Sequence, residues 1–271
     1  MELDIFRITF LAILQGITEF LPVSSSAHLI LPKELFGWED QGLVFDVAVH
    51  VGSLIAVVSY LRRDIATLFI AWLRSCIGKG TDKDGRIAWF IVLATIPAGV
   101  GGLLFNDAVE QYSRSMFLIG FTSIFFGIVL YFADKYQVVR KPMDRMDIKT
   151  AIIIGFAQLV ALIPGTSRSG ITLTAGLFCG LDRTAAAKFS FLLAIPIIIA
   201  SGMFKGLEMI ETGTSGQWAV LFYAIAVSAI VSFTCIHYFL SLITRIGFLP
   251  FVIYRVLLGL LLFAIYFVRV A

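Results

Sequence analysis

Pro22-Val-Ser-Ser-Ser-Ala-His28 and Pro164-Gly-Thr-Ser-Arg-Ser-Gly170 interrupt stretches that are otherwise apolar enough to lie inside a membrane. Each is a helix-breaking proline followed by a cluster of hydroxyls, and each carries one ionisable side chain, His28 or Arg168. Irregular polar backbone at membrane depth is tolerated only where it is buried in protein or lines a cavity. An ionisable residue there marks a functional site by default. The pattern occurs twice, so two parts of one chain are expected to build one site.

Composition sets the frame. Of the 271 residues, 59% are hydrophobic and 14% charged, and the mean hydropathy is +0.95. A soluble domain of this size needs far more charge to cover its surface. The chain therefore reads as an all-α polytopic membrane protein. A net charge of only +3 makes no case for nucleic acid as a partner. Cys76, Cys179 and Cys235 are scattered and odd in number, which indicates neither a disulfide framework nor a zinc site. The N-terminus begins Met-Glu-Leu-Asp and has none of the marks of a removable signal peptide.

A full span needs about 20 mainly apolar residues. Segments 44–61, 87–105, 116–133, 185–204, 218–240 and 249–268 qualify. Stretches 5–36 and 150–181 carry the two opening motifs in their middles and read as helices that enter, break and return, with two ordinary spans each as the alternative. Loop 62–86 carries Arg62, Arg63, Arg74, Lys79, Lys83 and Arg86, and the linker 134–149 carries Lys135, Arg140, Lys141, Arg145 and Lys149. Loops 106–115 and 205–217 hold one basic residue each, Arg114 and Lys205, beside acids. Basic loops stay in the cytoplasm, so 62–86 and 134–149 are inside and the other two outside. The first half, 1–135, then begins outside and the second, 136–271, begins inside. That is an inverted-topology repeat of six transmembrane helices plus two re-entrant helix pairs, which sets broken helices face to face near the midplane. Aligning Pro22 with Pro164 puts Ser25 on Ser167.

Several residues in these breaks carry chemistry. Gln15 and Glu19 are four apart, hence on one helix face. A central acid in a membrane helix costs roughly 2.5–3.5 kcal/mol on insertion scales, which argues for a role unless Glu19 sits hydrated at the outer interface. His28 lies within a turn or two of Glu19, and a carboxylate can orient a histidine for acid–base work. Arg168, among Thr166, Ser167, Ser169 and Thr172, suits bidentate recognition of an oxyanion. Gly165 and Gly170 let backbone come close to a ligand, and a helix resuming here aims its free N–H groups at the same place. Together these describe a phosphate cradle, and the absence of a Gly-Lys-Ser/Thr loop leaves nucleotide unindicated. Asp46 and His50 form another pair near the start of a span, where structural pairing is as good a reading as function. Arg255 either pairs with a carboxylate or holds a helix end, and His237 faces a neighbouring helix or the inner interface.

Gln15-x-x-x-Glu19, Ser24-Ser25-Ser26-Ala27-His28 and Pro164-Gly165-Thr166-Ser167-Arg168-Ser169 with Thr172 resemble the signatures of the undecaprenyl pyrophosphate phosphatase family, the bacitracin-resistance protein type. The resemblance runs the whole length, through Phe189-Ser190-Phe191-Leu192-Leu193 to Tyr254-Arg255. Gln15 stands where many members have glutamate. The resemblance implies hydrolysis of a polyprenyl diphosphate lipid to the monophosphate that carries cell-wall precursors. It also implies a bacterial inner-membrane location, a site open to the outer side, and assistance by Mg2+ or Ca2+. Type-2 phosphatidic-acid phosphatases share the chemistry but need a Lys-x6-Arg-Pro motif that is missing here.

The combined expectation is as follows. Arg168, Thr166, Ser167, Ser169 and Thr172, with Ser24 and Ser26, hold the diphosphate. Ser25 is the favoured nucleophile, activated by His28, which Glu19 orients; His28 as the nucleophile itself, or as the base for a water, is the alternative. Glu19 with Gln15 reaches a divalent cation. The prenyl tail lies between helices in a groove rich in phenylalanine and glycine. A homodimer is left open. The competing function is a polyprenyl-phosphate or lipid transporter, or flippase, which needs the cradle but not the acid–base set.

Overall fold

The structure is a computed structural model that describes residues 4–39, 42–137, 140–211 and 218–270. Residues 40–41, 138–139 of the basic linker and 212–217 of the second outer loop lie outside that set. Twelve helices follow one another among the described residues. They are α1 (Ile5–Thr18), α2 (Ser25–Phe36), α3 (Gly42–Tyr60), α4 (Arg62–Cys76), α5 (Lys83–Leu104), α6 (Asn106–Tyr112), α7 (Met116–Lys135), α8 (Ile148–Val160), α9 (Arg168–Phe178), α10 (Arg183–Glu211), α11 (Trp218–Ile246) and α12 (Leu249–Val270). Among the described residues, five stretches are long and apolar enough to cross a membrane: Lys83–Leu104, Met116–Lys135, Arg183–Met203, Trp218–Ile246 and Leu249–Arg269. A sixth is counted if Val44–Tyr60 and Arg62–Cys76, bent by 79°, act as one. The protein is an all-α polytopic membrane protein.

The segment 62–86, read from its charge as a loop, is mostly the helix α4. Its apolar residues Ile65, Leu68 and Trp72 recur at helical spacing and pack into the main core, while Arg62, Arg63 and Arg74 stand away from that line. α10 also runs further than its sequence span, to Glu211, into what the charge pattern makes an outer loop.

Both interrupted stretches are helix–break–helix units, α1 with α2 and α8 with α9, and they match in detail. Asp4 and Asp147 cap α1 and α8 with their side chains, accepting from Phe6 N (3.0 Å) and Thr150 N (2.8 Å). Gln15 and Gln158 are buried near the ends of these helices. Ser24 and Ser167, at φ 70° and 68°, precede α2 and α9 and are the two non-glycine residues with positive φ among the described residues. Gly37 and Gly180 follow those helices, also at positive φ. One constant offset relates all four pairs. The matching register therefore puts Ser24, not Ser25, on Ser167, and Ser25 on Arg168, one residue away from the alignment by proline.

The units are embedded in the long helices. α1 packs on α11 and α8 on α5; α3 packs on α11 and α10 on α5; α7 pairs with α12. Lipid offers no hydrophobic force between spans, so close approach at small residues and hydroxyl bonds hold them. A Cβ on Gly52 of α3 would stand 2.8 Å from Ser228 Cβ of α11. Beside it Ser53 reaches Ser228 (3.3 Å) and Ser232 (3.1 Å), and Ser232 donates to Gly16 O of α1 (3.2 Å). Three helices are joined this way without a charged group. At the other end Asp134 of α7 takes Arg183 Nε (2.6 Å) and Nη2 (3.0 Å) and accepts from Phe248 N (3.1 Å), which ties α7, α10 and the start of α12.

Candidate active site

The two breaks meet. Arg255 of α12, 0% exposed, has no acid partner among the described residues. Its Nε donates to Ser123 O of α7 (3.1 Å), its Nη2 to Gly165 O (3.2 Å) and Thr166 O (2.9 Å), and its Nη1 to Pro22 O (3.5 Å). One guanidinium thus satisfies carbonyls of both breaks, groups that have no helical partner of their own. Ser169 Oγ donates to Leu21 O (2.8 Å), a second direct tie between the breaks. Gly165 and Gly170 make room for protein rather than for a ligand. At φ +83° a Cβ on Gly165 would lie 2.6 Å from Ile119 O, and one on Gly170 would lie 2.7 Å from Arg255 Nη1.

Between the breaks lies a cavity of about 220 Å3, lined by Glu19, Ser24, Ser25, Ser26, Ser167 and Arg168 together with His50, Ala161 and the stretch 163–165. Glu19, 7% exposed, is its electrostatic centre. Oε1 accepts from Arg168 Nη2. Oε2 accepts from Gln15 Nε2 (2.8 Å) and Ser25 Oγ (3.0 Å) and faces His50 Nε2 at 3.5 Å. Arg168 also donates through Nη1 to Ala194 O of α10 (3.2 Å), which fixes the plane of its fork. One buried carboxylate therefore holds an arginine from the other broken unit and a serine hydroxyl from its own.

Of the remaining sequence-predicted residues, His28, Thr166, Ser169 and Thr172 stand outside this cavity, and Ser167 lines it with its hydroxyl already engaged. His28 is 3% exposed. Its Nδ1 donates to Ser24 O (2.7 Å), so its Nε2 accepts from Tyr254 O–H (2.7 Å). Both ring nitrogens are engaged, and neither partner is Glu19 or Ser25. Ser167 Oγ caps α9 at Gly170 N (3.2 Å). Thr172 donates to Arg168 O (2.8 Å) and meets Ser190 Oγ (2.7 Å). Ser169 is spent on Leu21, and Thr166 Oγ1 is buried without a partner. Arg255, left open between a carboxylate and a helix end, holds carbonyls. His237 meets Tyr60 OH on α3 at 3.4 Å, a neighbouring helix.

His50 is the residue that sequence reasoning underweighted. Its Nδ1 donates to Asp46 O (2.7 Å), and this leaves Nε2 pointing at Glu19. Asp46, its i−4 neighbour, takes Arg114 Nη2 (3.1 Å) instead. The i, i+4 spacing suggested a pair closed on itself, and only the packing of α3 against α1 turns the imidazole to the cavity.

Among the described residues no three His, Cys, Asp or Glu side chains group to hold a metal ion. Glu19 is accompanied by Gln15 Oε1, a buried oxygen with no partner. Both are hard oxygen donors, too few for an all-protein cage but of the kind that Mg2+ uses when phosphates and waters complete its shell. Gln15 turns its Nε2 to Glu19 and does not line the cavity, so Glu19 is the oxygen donor that a cation brought with a diphosphate would meet there.

The model of the bacitracin resistance protein BacA family matches residues 8–261. The undecaprenyl-diphosphatase of Teredinibacter turnerae is 56% identical over 261 residues, 96% of this chain and 99% of that one. The undecaprenyl-diphosphatases of Hahella chejuensis and Saccharophagus degradans are each 54% identical, over 93% and 97% of this chain and 95% and 98% of theirs. With the match running almost end to end, the chain belongs to the bacitracin resistance protein BacA family.

Proposed function

We propose that the protein hydrolyses undecaprenyl diphosphate to the monophosphate and inorganic phosphate. The observation that carries this reading is the meeting of Glu19, Ser25 and Arg168 in one cavity between two broken helices. Phosphoryl transfer asks a protein mainly for charge neutralisation and for an aligned nucleophile. Arg168 and the hydroxyls of Ser24, Ser26 and Ser167 meet the terminal phosphate. Ser25 Oγ–H already donates to Glu19, so the carboxylate is placed to take that proton as the oxygen attacks phosphorus. The bridging P–O bond breaks, the lipid monophosphate leaves, and water releases phosphate from the serine. Arg168 exchanges part of its hold on Glu19 for the phosphate, which frees the carboxylate to act as base. His28 acts as a positioning residue: through Ser24 O it sets the turn that carries Ser24–Ser26. Glu19, oriented by Gln15 Nε2, would hold a divalent cation that neutralises diphosphate charge.

The halves 1–135 and 136–271 are read as an inverted repeat. The matched pairs Asp4/Asp147, Ser24/Ser167 and Gly37/Gly180 support the repeat, and the exchange of packing, α1 on α11 and α8 on α5, supports interlocked halves. The inversion rests on loop charge, which makes α1–α2 and α8–α9 re-entrant from opposite sides. His50 and the Asp46–Arg114 pair near the start of α3 lie on the side that loop charge assigns to the exterior, so the cavity opens outward from a bacterial cytoplasmic membrane.

The test is phosphate release from undecaprenyl diphosphate by purified protein in detergent, with and without a chelator. Detergent abolishes sidedness, so a flippase that cleaves nothing releases no phosphate. Release that falls on chelation and returns with Mg2+ supports the full reading; no release from the pure protein overturns it.

A further inference from the structure

The polar cavity shares a wall with a larger hollow of about 910 Å3. Ile197 and Ser201 of α10 line both. Leu162 faces the hollow while its neighbours Ala161 and Ile163 face the cavity. The hollow is a groove bounded by α4, α5 and α10, from Leu68 and Trp72 to Leu103, and its walls are almost wholly apolar. Along α5 it extends from Ala88 to Leu103, about 22 Å by helix rise.

Gly99 and Gly102 lie on this groove, one turn apart on α5. A Cβ at either meets nothing within 4 Å. Nothing packs there that needs a missing side chain, in contrast to Gly101 of the same helix, whose Cβ would meet the side chains of Leu159 and Leu162. Glycine inside a helix costs roughly 0.5–1 kcal/mol relative to alanine, so two glycines facing a void lack a packing reason in the protein itself.

We propose that this groove seats the polyprenyl tail of the substrate, and that Gly99 and Gly102 keep it open for that chain. The inference rests on the diphosphatase reading and adds where the tail goes. A prenyl diphosphate is a doubly phosphorylated head on a long apolar chain. The head fits a cavity that holds Arg168 and five hydroxyls, and the chain must leave through a wall of that cavity. The wall shared through Ile197, Ser201 and Leu162 opens onto apolar surface, which is what the chain requires.

The test compares wild type with Gly99→Phe and Gly102→Phe on undecaprenyl diphosphate and on isopentenyl diphosphate, whose single isoprene unit ends within the cavity. Each phenylalanine fills groove space. In each variant kcat/KM for the long substrate falls at least about 10-fold, mainly through KM. Turnover of the short substrate stays near wild type and doubles as the control for folding. Unchanged long-chain kinetics in both phenylalanine variants, or equal loss on both substrates, overturns the proposal. A groove that seats a bilayer phospholipid instead would make the variants insensitive to added phosphatidylethanolamine with the long-chain KM unaltered, which overturns it too. Wild type that cleaves neither substrate overturns the diphosphatase reading, and the groove assignment with it; wild type that cleaves both while the variants fail to discriminate overturns the groove alone.

Discussion

Glu19 at the end of α1 and Arg168 at the start of α9 form an ion pair that joins the two broken helices. With side chains 5% and 17% exposed, neither charge is well hydrated. Removing one partner of a buried pair leaves the other uncompensated, at about 3–5 kcal/mol, whereas replacing both is far milder. Glu19→Gln alone and Arg168→Gln alone are therefore each expected to lower the thermal midpoint in detergent more than the double variant does. Additive losses would mean the two charges are not coupled.

Ser25 and His28 divide the roles that the sequence left open. Ser25 lines the cavity with its proton on Glu19, while His28 is tied to Ser24 O and Tyr254. Ser25→Ala should lower kcat at least about 100-fold with little change in KM. Tyr254→Phe removes one hydrogen bond to His28, a loss of about 1–3 kcal/mol in stability, and leaves substantial turnover. A Ser25→Ala enzyme that keeps its turnover while His28→Ala loses it would rule out serine as the nucleophile.

Arg255 is the keystone of the breaks. Arg255→Met leaves the carbonyls of Pro22 and Thr166 without a donor, at about 1–3 kcal/mol for each, and strips the guanidinium from those of Ser123 and Gly165. The protein should lose its folded population in detergent. Arg255→Lys, a point charge without the planar fork, should recover little. Size-exclusion profiles and thermal midpoints of both variants decide the matter. A monodisperse, normally stable Arg255→Met would show that the breaks hold themselves.

Asp147 supplies a pH signature at the start of α8. The Thr150 hydroxyl, and then its amide, hold the Asp147 carboxyl below the usual carboxylate range. A depressed carboxyl contributes stability above its unfolded pKa and loses it as pH falls through the folded one. Asp147→Ala should cost about 0.5–1 kcal/mol at neutral pH for this solvent-screened cap. The difference from wild type should close below about pH 4. Thermal midpoints across that range check it, and a gap that stays constant into acid would assign the loss to something other than the charged cap.

The breaks were legible because proline and hydroxyls stand out in apolar sequence, and Glu19 and Arg168 because charge at such depth needs a reason. Their register was not. It is set by the positive φ at Ser24 and Ser167, which no residue type announces, whereas the prolines announce themselves one position out of step. α4 carried a readable signal in Ile65, Leu68 and Trp72, hidden by the arginines around it. His50 and the carbonyl partners of Arg255 belong to tertiary packing, where distance along the chain says nothing about who meets whom. The hydroxyls of Ser169 and Thr172 looked like phosphate ligands, but backbone carbonyls of the breaks and the hydroxyl of Ser190 claim them first.

The most direct measurement is the single-turnover rate of phosphate release from undecaprenyl diphosphate by purified Arg168→Ala beside wild type, in detergent and with enzyme in saturating excess. A charged donor aimed at the transferring phosphoryl group is worth roughly 10²–10³ in rate. The variant should therefore release phosphate at least about 100-fold more slowly while remaining folded by size exclusion. A folded Arg168→Ala that turns over within a few-fold of wild type would contradict the claim that the two breaks form one hydrolytic site.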